Sequence, residues 1–446
     1  MTHYHTYDHK GSLKLDIGIR QFDSLVDDMK KLRDAGASAG IVDASFDKIG
    51  SSLNGLPIPA LKIGKNSANK VLFIGCHHAR EWISVEVPYL IAKYLINNYK
   101  SAPTTKQEKW VKYLVDHAQI FVVPMANPDG HRRGFNSTTG AAVTGGDAWR
   151  ANCASNVYDH DVTFDRYVEK KPYKTIDYKG EKYELYRLTT PVQGKKIAVT
   201  IKTGTYLGTD LNRNYPVAAP PAGSTVPEWG VETHGEPGGY AIVYTSTGAV
   251  KEKKWYLTTS REPEPPTTFC GKSAGSEPET SAVAALLRKE KFKAVFDYHS
   301  YSQLILYPDD VDLFKDDQVH FLGQGMHQLF KSKQADYTYQ SGSALYPTSG
   351  DSISFSYRDA KTPHFCIELS PTSNDGEERP RGKGWAFNRL PESEIDRVFA
   401  ECLPSALAAI KCSIHGFSTS RHTKKVPAST KQAIMNSWKT FWSWKP

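Results

Sequence analysis

The chain has 446 residues, 39% of them hydrophobic and 23% charged, with a formal net charge of +8. That is the composition of a globular chain able to bury a core, as two or three domains or as one large α/β domain with insertions. Six of the eight positive charges lie in 417–446, on Arg421, Lys424, Lys425, Lys431, Lys439 and Lys445 with no acid among them. The body is thus near +2, which argues against nucleic acid as a partner.

The opening "MTHYHTYDHKGS" lacks a basic region followed by an apolar one, so a cytoplasmic location is expected. The alternative is a secreted protein whose leader is absent from this chain. No stretch approaches the roughly 18 uninterrupted apolar residues of a membrane-spanning helix. The six cysteines form no C-x-x-C pair.

In chain order, 21–35 ("QFDSLVDDMKKLRDA") carries Phe22, Leu25, Met29 and Leu32 on one stripe and predicts an amphipathic helix. "LPIPALKIG" (56–64) and "VLFIGC" (71–76) read as neighbouring strands. Beyond "CHHAREW" (76–82), Val87, Leu90, Ile91, Tyr94 and Leu95 recur at helical spacing. "QIFVVPMANPDG" (119–130) is an apolar run closed by a turn cluster, as in a buried central strand. Residues 154–207 and 217–269 interrupt this rhythm with alternating runs such as "KYELYRL" and "GGYAIVYTSTG", and read as β-rich insertions. "SEPETSAVAALL" opens with Ser276 and Glu279 in capping-box spacing and Pro278 in the first turn. "KAVFDYHS" and "HFCIELS" are two further short strands. Alternating strands and helices predict an α/β domain around a largely buried sheet.

His78 and Glu81 stand in H-x-x-E spacing just past a strand end, where one turn of helix would let both hold one ion. Imidazole and carboxylate suit zinc, yet the spacing is common and a solvated polar strand end competes with this reading. His77 points elsewhere and reads as structural. Alternation places Asp297 and His299 on one strand face, with His299 at the end, where it offers a third ligand. Three protein ligands leave a position for water, and Glu368 at the end of "HFCIEL" could take a proton from it. Asn212 and Arg213 in "TDLNRNYP" can bind a carboxylate, and Arg150 is a further candidate cation.

"HAREW", "NPDG", "DLNRN", "HSYSQLILYP", "LYPTSGDS" and "CIEL" follow one another in the order found in a known family. The chain resembles the zinc metallocarboxypeptidases of the carboxypeptidase A type over roughly residues 4–415. The resemblance implies an α/β fold with a central mixed, mostly parallel twisted sheet flanked by helices. It implies a catalytic domain spanning 1–415; the basic, Trp-rich tail at 416–446 lies beyond the resemblance. It makes His78, Glu81 and His299 the ligands of one Zn²⁺ per chain, a ligand set characteristic of carboxypeptidase A. Glu368 becomes general base and then acid, Arg150 steadies the oxyanion, and Asn212 with Arg213 holds a terminal carboxylate. Tyr346 matches a mobile tyrosine that closes over the substrate, and Asp210 an acid that orients the first histidine. Arg80, Ser300, Tyr301 and Phe387 fall at outer subsites.

The gap of 217 residues between Glu81 and His299 exceeds the family's usual one, and the two insertions account for it. With the resemblance starting near residue 4, the family's inhibitory prosegment is not expected, which suggests an enzyme made active or controlled by location or an insertion. Ile353 implies a taste for large apolar C-terminal residues, while Asp351 and Asp310 near the pocket wall would admit basic ones. Asp351 as a plain turn residue is the competing reading. Family members often bridge cysteines at places comparable to Cys153 and Cys270, but with no signal peptide that bridge is not expected. The substrate is then the C-terminus of a peptide or protein, and a monomer is expected. In 431–445, Ile434, Met435, Trp438, Phe441 and Trp442 could form one face of a helix, packed on the enzyme or laid on a membrane surface. Two other functions are carried: a related zinc amidohydrolase acting on acyl-amino acids or peptidoglycan peptides, and a non-catalytic binding protein.

Overall fold

A computed structural model describes residues 5–9, 13–17, 19–135, 149–158, 162–171, 174–178, 181–186, 192–201, 204–216, 240–245, 256–258, 270–271, 274–308, 317–331, 335–345, 348, 350–369 and 392–415. Seven strands form the central sheet: β1 (Leu61–Ile63), β2 (Lys70–Gly75), β3 (Gln119–Val123), β4 (Ala294–Ser300), β5 (Leu304–Tyr307), β6 (Thr338–Ser341) and β7 (His364–Leu369). Their spatial order is β6-β5-β7-β4-β2-β3-β1. The four pairs β2–β3, β2–β4, β4–β7 and β5–β6 run parallel, while β1–β3 and β5–β7 are antiparallel. The sheet is thus mixed and mostly parallel, as expected.

The two faces of the sheet bury separate apolar clusters, and alternation along each strand divides the residues between them. Val71 and Phe73 of β2 join Ala294 and Phe296 of β4 on one face. That face is covered by α1 (Phe22–Ser38), α2 (Ile83–Asn98), α3 (Lys106–His117), α5 (Asp317–Lys331) and α7 (Glu392–His415). Leu72, Ile74, Phe121 and Val295 face the other way, under α4 (Pro278–Glu290) and Phe355 of α6 (Ser352–Arg358). Phe22, Leu25, Met29 and Leu32 are all buried on α1, so the predicted stripe is a real packing face. Strands covered on both faces read as continuous apolar runs, which is why β2 and β3 are nearly unbroken. Among the described residues no helix is long and apolar enough to cross a membrane.

Two expectations need correction. "LPIPALKIG" and "VLFIGC" are not neighbours: β1 pairs with β3, and β3 lies between it and β2. The first half of that segment, Pro57–Pro59, leaves the sheet and pairs with Lys48–Ser51. Nor does the capping box form at α4, whose N-cap is Glu277 with no side-chain cap. Ser276 Oγ donates instead to Glu277 Oε1, at 2.8 Å, and receives Asn214 Nδ2, at 3.0 Å. Glu279 is drawn away to the backbone N–H of Leu53 at 3.0 Å. Pro278 does occupy the first turn.

Among the described residues, strands within 155–207 and 240–258 pair in small antiparallel sheets outside the central one. Ser155–Tyr158 pairs with Gly204–Leu207, and Val162–Val168 with Lys195–Ile201. Lys174–Tyr178 pairs with Glu181–Tyr186, which also takes Tyr240–Thr245 as its neighbour. The two stretches read separately in the sequence therefore share one sheet. Cys153 and Cys270 are both free thiols, so no bridge joins them. The tail at 416–446 lies outside the described residues.

Candidate metal centre and substrate pocket

The site sits at the carboxyl ends of β2, β4 and β7, where an open α/β sheet presents its loops and where ligands of such folds bind. Gly75 ends β2 because a Cβ there would meet Ser84 O at 2.0 Å, so only glycine lets α2 pack this close. Cys76 follows with φ +57°, a left-handed conformation that costs a non-glycine residue energy. Its N–H is taken by Ser84 Oγ at 3.0 Å, which fixes the sharp turn. The chain then folds back on itself, Glu81 N–H donating to His78 O at 3.1 Å. That turn places His78 and Glu81 on one side, as their spacing predicts. Parallel register sets His299 of β4 directly beside Glu368 of β7.

His78, Glu81 and His299 are 3% exposed or less, and their donor atoms converge. His78 Nδ1 lies 2.7 Å from Glu81 Oε1, His299 Nδ1 lies 3.0 Å from Glu81 Oε2, and the two Nδ1 atoms are 3.1 Å apart. Ligands bound at zinc distances in a tetrahedron stand about 3.3 Å from one another, so the set is close to the right size. The far nitrogen of His78 faces Asp210 Oδ1 at 3.1 Å. Asp210 in turn receives Arg150 Nε at 2.8 Å and the N–H of Asn212 at 3.0 Å. Burial would raise the Asp210 pKa, but Arg150, His78 and Arg213 overcome it and hold the carboxyl well below its usual range. An ionised Asp210 requires N–H at His78 Nε2 and leaves the Nδ1 lone pair facing inward. Burial, then the Arg150 charge, also lowers the His78 pKa and favours the neutral ring a metal needs. Glu81 would likewise be raised by burial, but His78 and His299 hold it ionised. Lone pairs and a carboxylate crowded on one point repel unless a cation joins them, and an N₂O donor set of this kind suits zinc.

Glu368 is half-buried at the edge of this centre. Burial first, then the Glu81 charge, push its pKa up to about 7, with His299 and Arg150 opposing. Beside it opens a small pocket lined by Asn212 and Arg213 together with Leu306, Leu345, Ile353 and Cys366. Asn212 is oriented by its Oδ1, which accepts the N–H of Ser352 at 2.7 Å. Arg213 is held by Gly350, where a Cβ would meet Arg213 O at 2.1 Å and φ is +66°. Burial and the Glu368 charge push the Cys366 thiol well above its ordinary pKa, so the wall there is a neutral thiol.

A profile of the zinc carboxypeptidase family matches residues 43–404. The chain belongs to the zinc carboxypeptidase family. Members of this family are zinc-dependent, in keeping with the His78–Glu81–His299 group. Bovine carboxypeptidase B is 25% identical over 368 residues, 80% of this chain and 63% of that relative. Bovine carboxypeptidase O is 24% identical over 374 residues, 81% of this chain and 71% of that relative. The chain thus spans less than two thirds of its carboxypeptidase B relative. A structure of bovine thrombin-activatable fibrinolysis inhibitor in complex with tick carboxypeptidase inhibitor covers 89% of this chain and 97% of its own, with TM-score 0.52 and 21% identity. The carboxypeptidase A structure from Helicoverpa armigera covers 89% of this chain and 73% of its own, with TM-score 0.53 and 18% identity. These two likenesses show the shared zinc carboxypeptidase fold.

The remaining residues singled out in the sequence fall as follows. Arg150 is buried and lies 3.7 Å from Glu81 Oε1 through its Nη1. The Ser300 N–H donates to Glu81 Oε2 at 3.1 Å, and Arg80 and Tyr301 are half-buried nearby in sequence. Asp351 lines the pocket, but it is also the N-cap of α6, accepting Ser354 N–H at 2.8 Å and the hydroxyls of Ser354 and Thr348 at 3.1 and 3.0 Å. Tyr346, Asp310 and Phe387 lie outside the described residues. The sequence placed Asp297 on the face of His299 without giving it a role, set His77 aside as structural, and gave no sign of Tyr215 or Ser352. The one available signal was Asp297 two positions before His299 on the same strand face.

Proposed function

We propose that this chain is a zinc-dependent exopeptidase that hydrolyses the C-terminal peptide bond of peptides or proteins and releases single amino acids. The observation that carries the reading is the convergence of His78, Glu81 and His299 beside Glu368, at a pocket that Asn212 and Arg213 also line. Zinc held by that trio would supply a Lewis acid that activates water for attack. Arg213 and Asn212 bind the terminal carboxylate, which places the last peptide bond beside Glu368. Glu368 removes the proton from the attacking water and passes it to the leaving amine, and a carboxyl near pH 7 can do both. Arg150 donates to the oxyanion as charge gathers on the scissile carbonyl. Asp210 keeps the His78 ring in its metal-binding tautomer. Tyr346 closes over the bound end, and Arg80, Ser300, Tyr301 and Phe387 line subsites further out.

The pocket favours a large apolar terminal side chain. Leu306, Leu345 and Ile353 form its walls, and the Asp351 carboxylate already accepts three hydrogen bonds from its own turn. An acid so engaged gives little to an incoming Lys or Arg. A peptide set varied only at its last residue, digested with and without chelator and weighed by mass spectrometry, tests the reaction and the preference together. Glu368→Gln should lower kcat by about 10²–10⁴-fold while zinc stays bound. Undiminished turnover in that variant, or turnover insensitive to chelator, would sink the proposal.

A further inference from the structure

We propose that Asp297 is a positioning residue for His299, fixing which ring nitrogen that imidazole presents to the metal, and that His77, Tyr215 and Ser352 hold Asp297 in place. The inference rests on the zinc reading of the trio above. Asp297 is fully buried, and its Oδ1 lies 3.2 Å from His299 Nε2 and 3.0 Å from His77 Nδ1. Its Oδ2 accepts the Ser352 hydroxyl at 2.7 Å, with His364 Nε2 further off at 3.7 Å. His77 Nε2 stands 2.6 Å from the Tyr215 hydroxyl.

Counting protons decides the arrangement. A carboxylate can only accept, so each close neighbour must donate: Ser352 through its hydroxyl, His77 through Nδ1 and His299 through Nε2. With Nδ1 protonated, His77 Nε2 must accept, and the Tyr215 phenol has the proton to give. Every donor to Asp297 is then used once, with the His299 N–H toward Asp297 on Nε2. His299 is left with a lone pair on Nδ1, the atom that faces His78 Nδ1 and Glu81 Oε2. The competing tautomer would have His299 Nε2 accept from Asn212 Nδ2, but that contact is longer, at 3.5 Å, and it would leave Asp297 facing a bare nitrogen. The His77 ring also lies nearly flat against that of His299, with centroids 5.6 Å apart and planes 13° from parallel, which resists tilting.

His77, Asp297 and His299 also place ligand atoms near one another. Their facing atoms are already matched as donor and acceptor, so protons rather than a second cation account for the cluster. A carboxylate buried this deeply is expensive, and an apolar residue would fill the space at less cost if filling it were the only task. The cost is explained if Asp297 does for His299 what Asp210 does for His78, strengthening the ring as a ligand. Through Ser352 it also reaches the pocket lining, because the Ser352 N–H holds Asn212 Oδ1.

The test uses the full chain, stripped of metal and titrated with Zn²⁺ against a chromogenic chelator, with the visible spectrum of the Co²⁺-loaded protein as second readout. Asp297→Asn should raise the zinc Kd about 10–100-fold and alter the cobalt bands. Tyr215→Phe should move both in the same direction by less. A folded Asp297→Asn protein with wild-type Kd and cobalt spectrum overturns the inference, whatever its Tm. If that variant does not fold, Tyr215→Phe and Ser352→Ala decide, and unchanged Kd and spectrum in both overturn it equally. A wild-type chain that binds no zinc removes the exopeptidase reading along with this one, whereas wild-type affinity in the variants removes this one alone.

Discussion

Glu279 offers a direct test of how burial sets the pH limits of this fold. It lies in the first turn of α4, fully buried, where Oε1 accepts the Leu53 N–H at 3.0 Å and Oε2 lies 3.5 Å from Asn152 Nδ2. Burial, with the nearby charges of Asp129 and Glu277 added, pushes its pKa from 4.5 up to about 7, against the pull of two backbone N–H groups. The folded chain therefore keeps this proton between pH 4.5 and 7 while the unfolded chain has released it. The stabilisation is whole below pH 4.5 and is lost as pH rises through 7. At about 1.4 kcal/mol per pH unit, ionising Glu279 costs the fold about 3 kcal/mol by pH 8. Glu279→Gln keeps the acceptor for Leu53 and cannot ionise. Its stability relative to wild type should be near zero or slightly negative at pH 5 and should improve by about 3 kcal/mol at pH 8. Denaturant titrations of both proteins at pH 5, 6, 7 and 8 measure this as a difference, so effects of pH on the rest of the molecule cancel. A difference that stays flat, or that grows toward acid, would refute the reasoning.

Two other outcomes are expected. Ile353→Asp sets an ionisable group in the apolar wall of the pocket and should cut hydrolysis at Phe or Leu ends by at least about tenfold while raising it at Lys or Arg ends, measured as kcat/KM on matched peptides. Arg20→Met removes the only cation bonded to the buried Glu86 carboxylate among the contacts of the described residues, together with a hydrogen bond to Asp28 and a guanidinium 3.8 Å over Tyr89. It should cost about 3–5 kcal/mol, read as a lowered Tm, because Glu86 stays behind without its counter-charge.

The chemistry was more legible in the sequence than the packing. Spacing at strand ends made His78, Glu81, His299 and Glu368 candidates, and the ordered motifs of the resembled family joined them into one set. Strand order could not be read, because β3 enters between β1 and β2 through contacts far apart in sequence, and apolar runs carry no label for their neighbours. The capping box failed for a related reason. Ser276 and Glu279 have the right spacing, but Asn214 Oδ1 takes the Glu277 N–H at 3.1 Å and Leu53 competes for Glu279. His77 reads as structural in the sequence, and in the fold its Nδ1 faces Asp297 rather than the trio. Its partner Asp297 lay in view on the same face as His299, but a lone acid in a strand does not announce three converging donors.

The stretch that begins at Ser155 is pinned where it leaves and rejoins the catalytic domain. Gly208 N–H reaches Ala154 O at 2.6 Å, and Asn152 Oδ1 receives the N–H groups of both Ala154 and Thr209 at 3.0 and 2.8 Å. This knot lies between Arg150 and Asp210, so the two sides of the site are tied before the chain sets out. The entropy of closing a loop grows only with the logarithm of its length, about 0.6 kcal/mol per doubling. A change in the length of 155–207 therefore adds little closure cost, and the knot still ties Arg150 to Asp210.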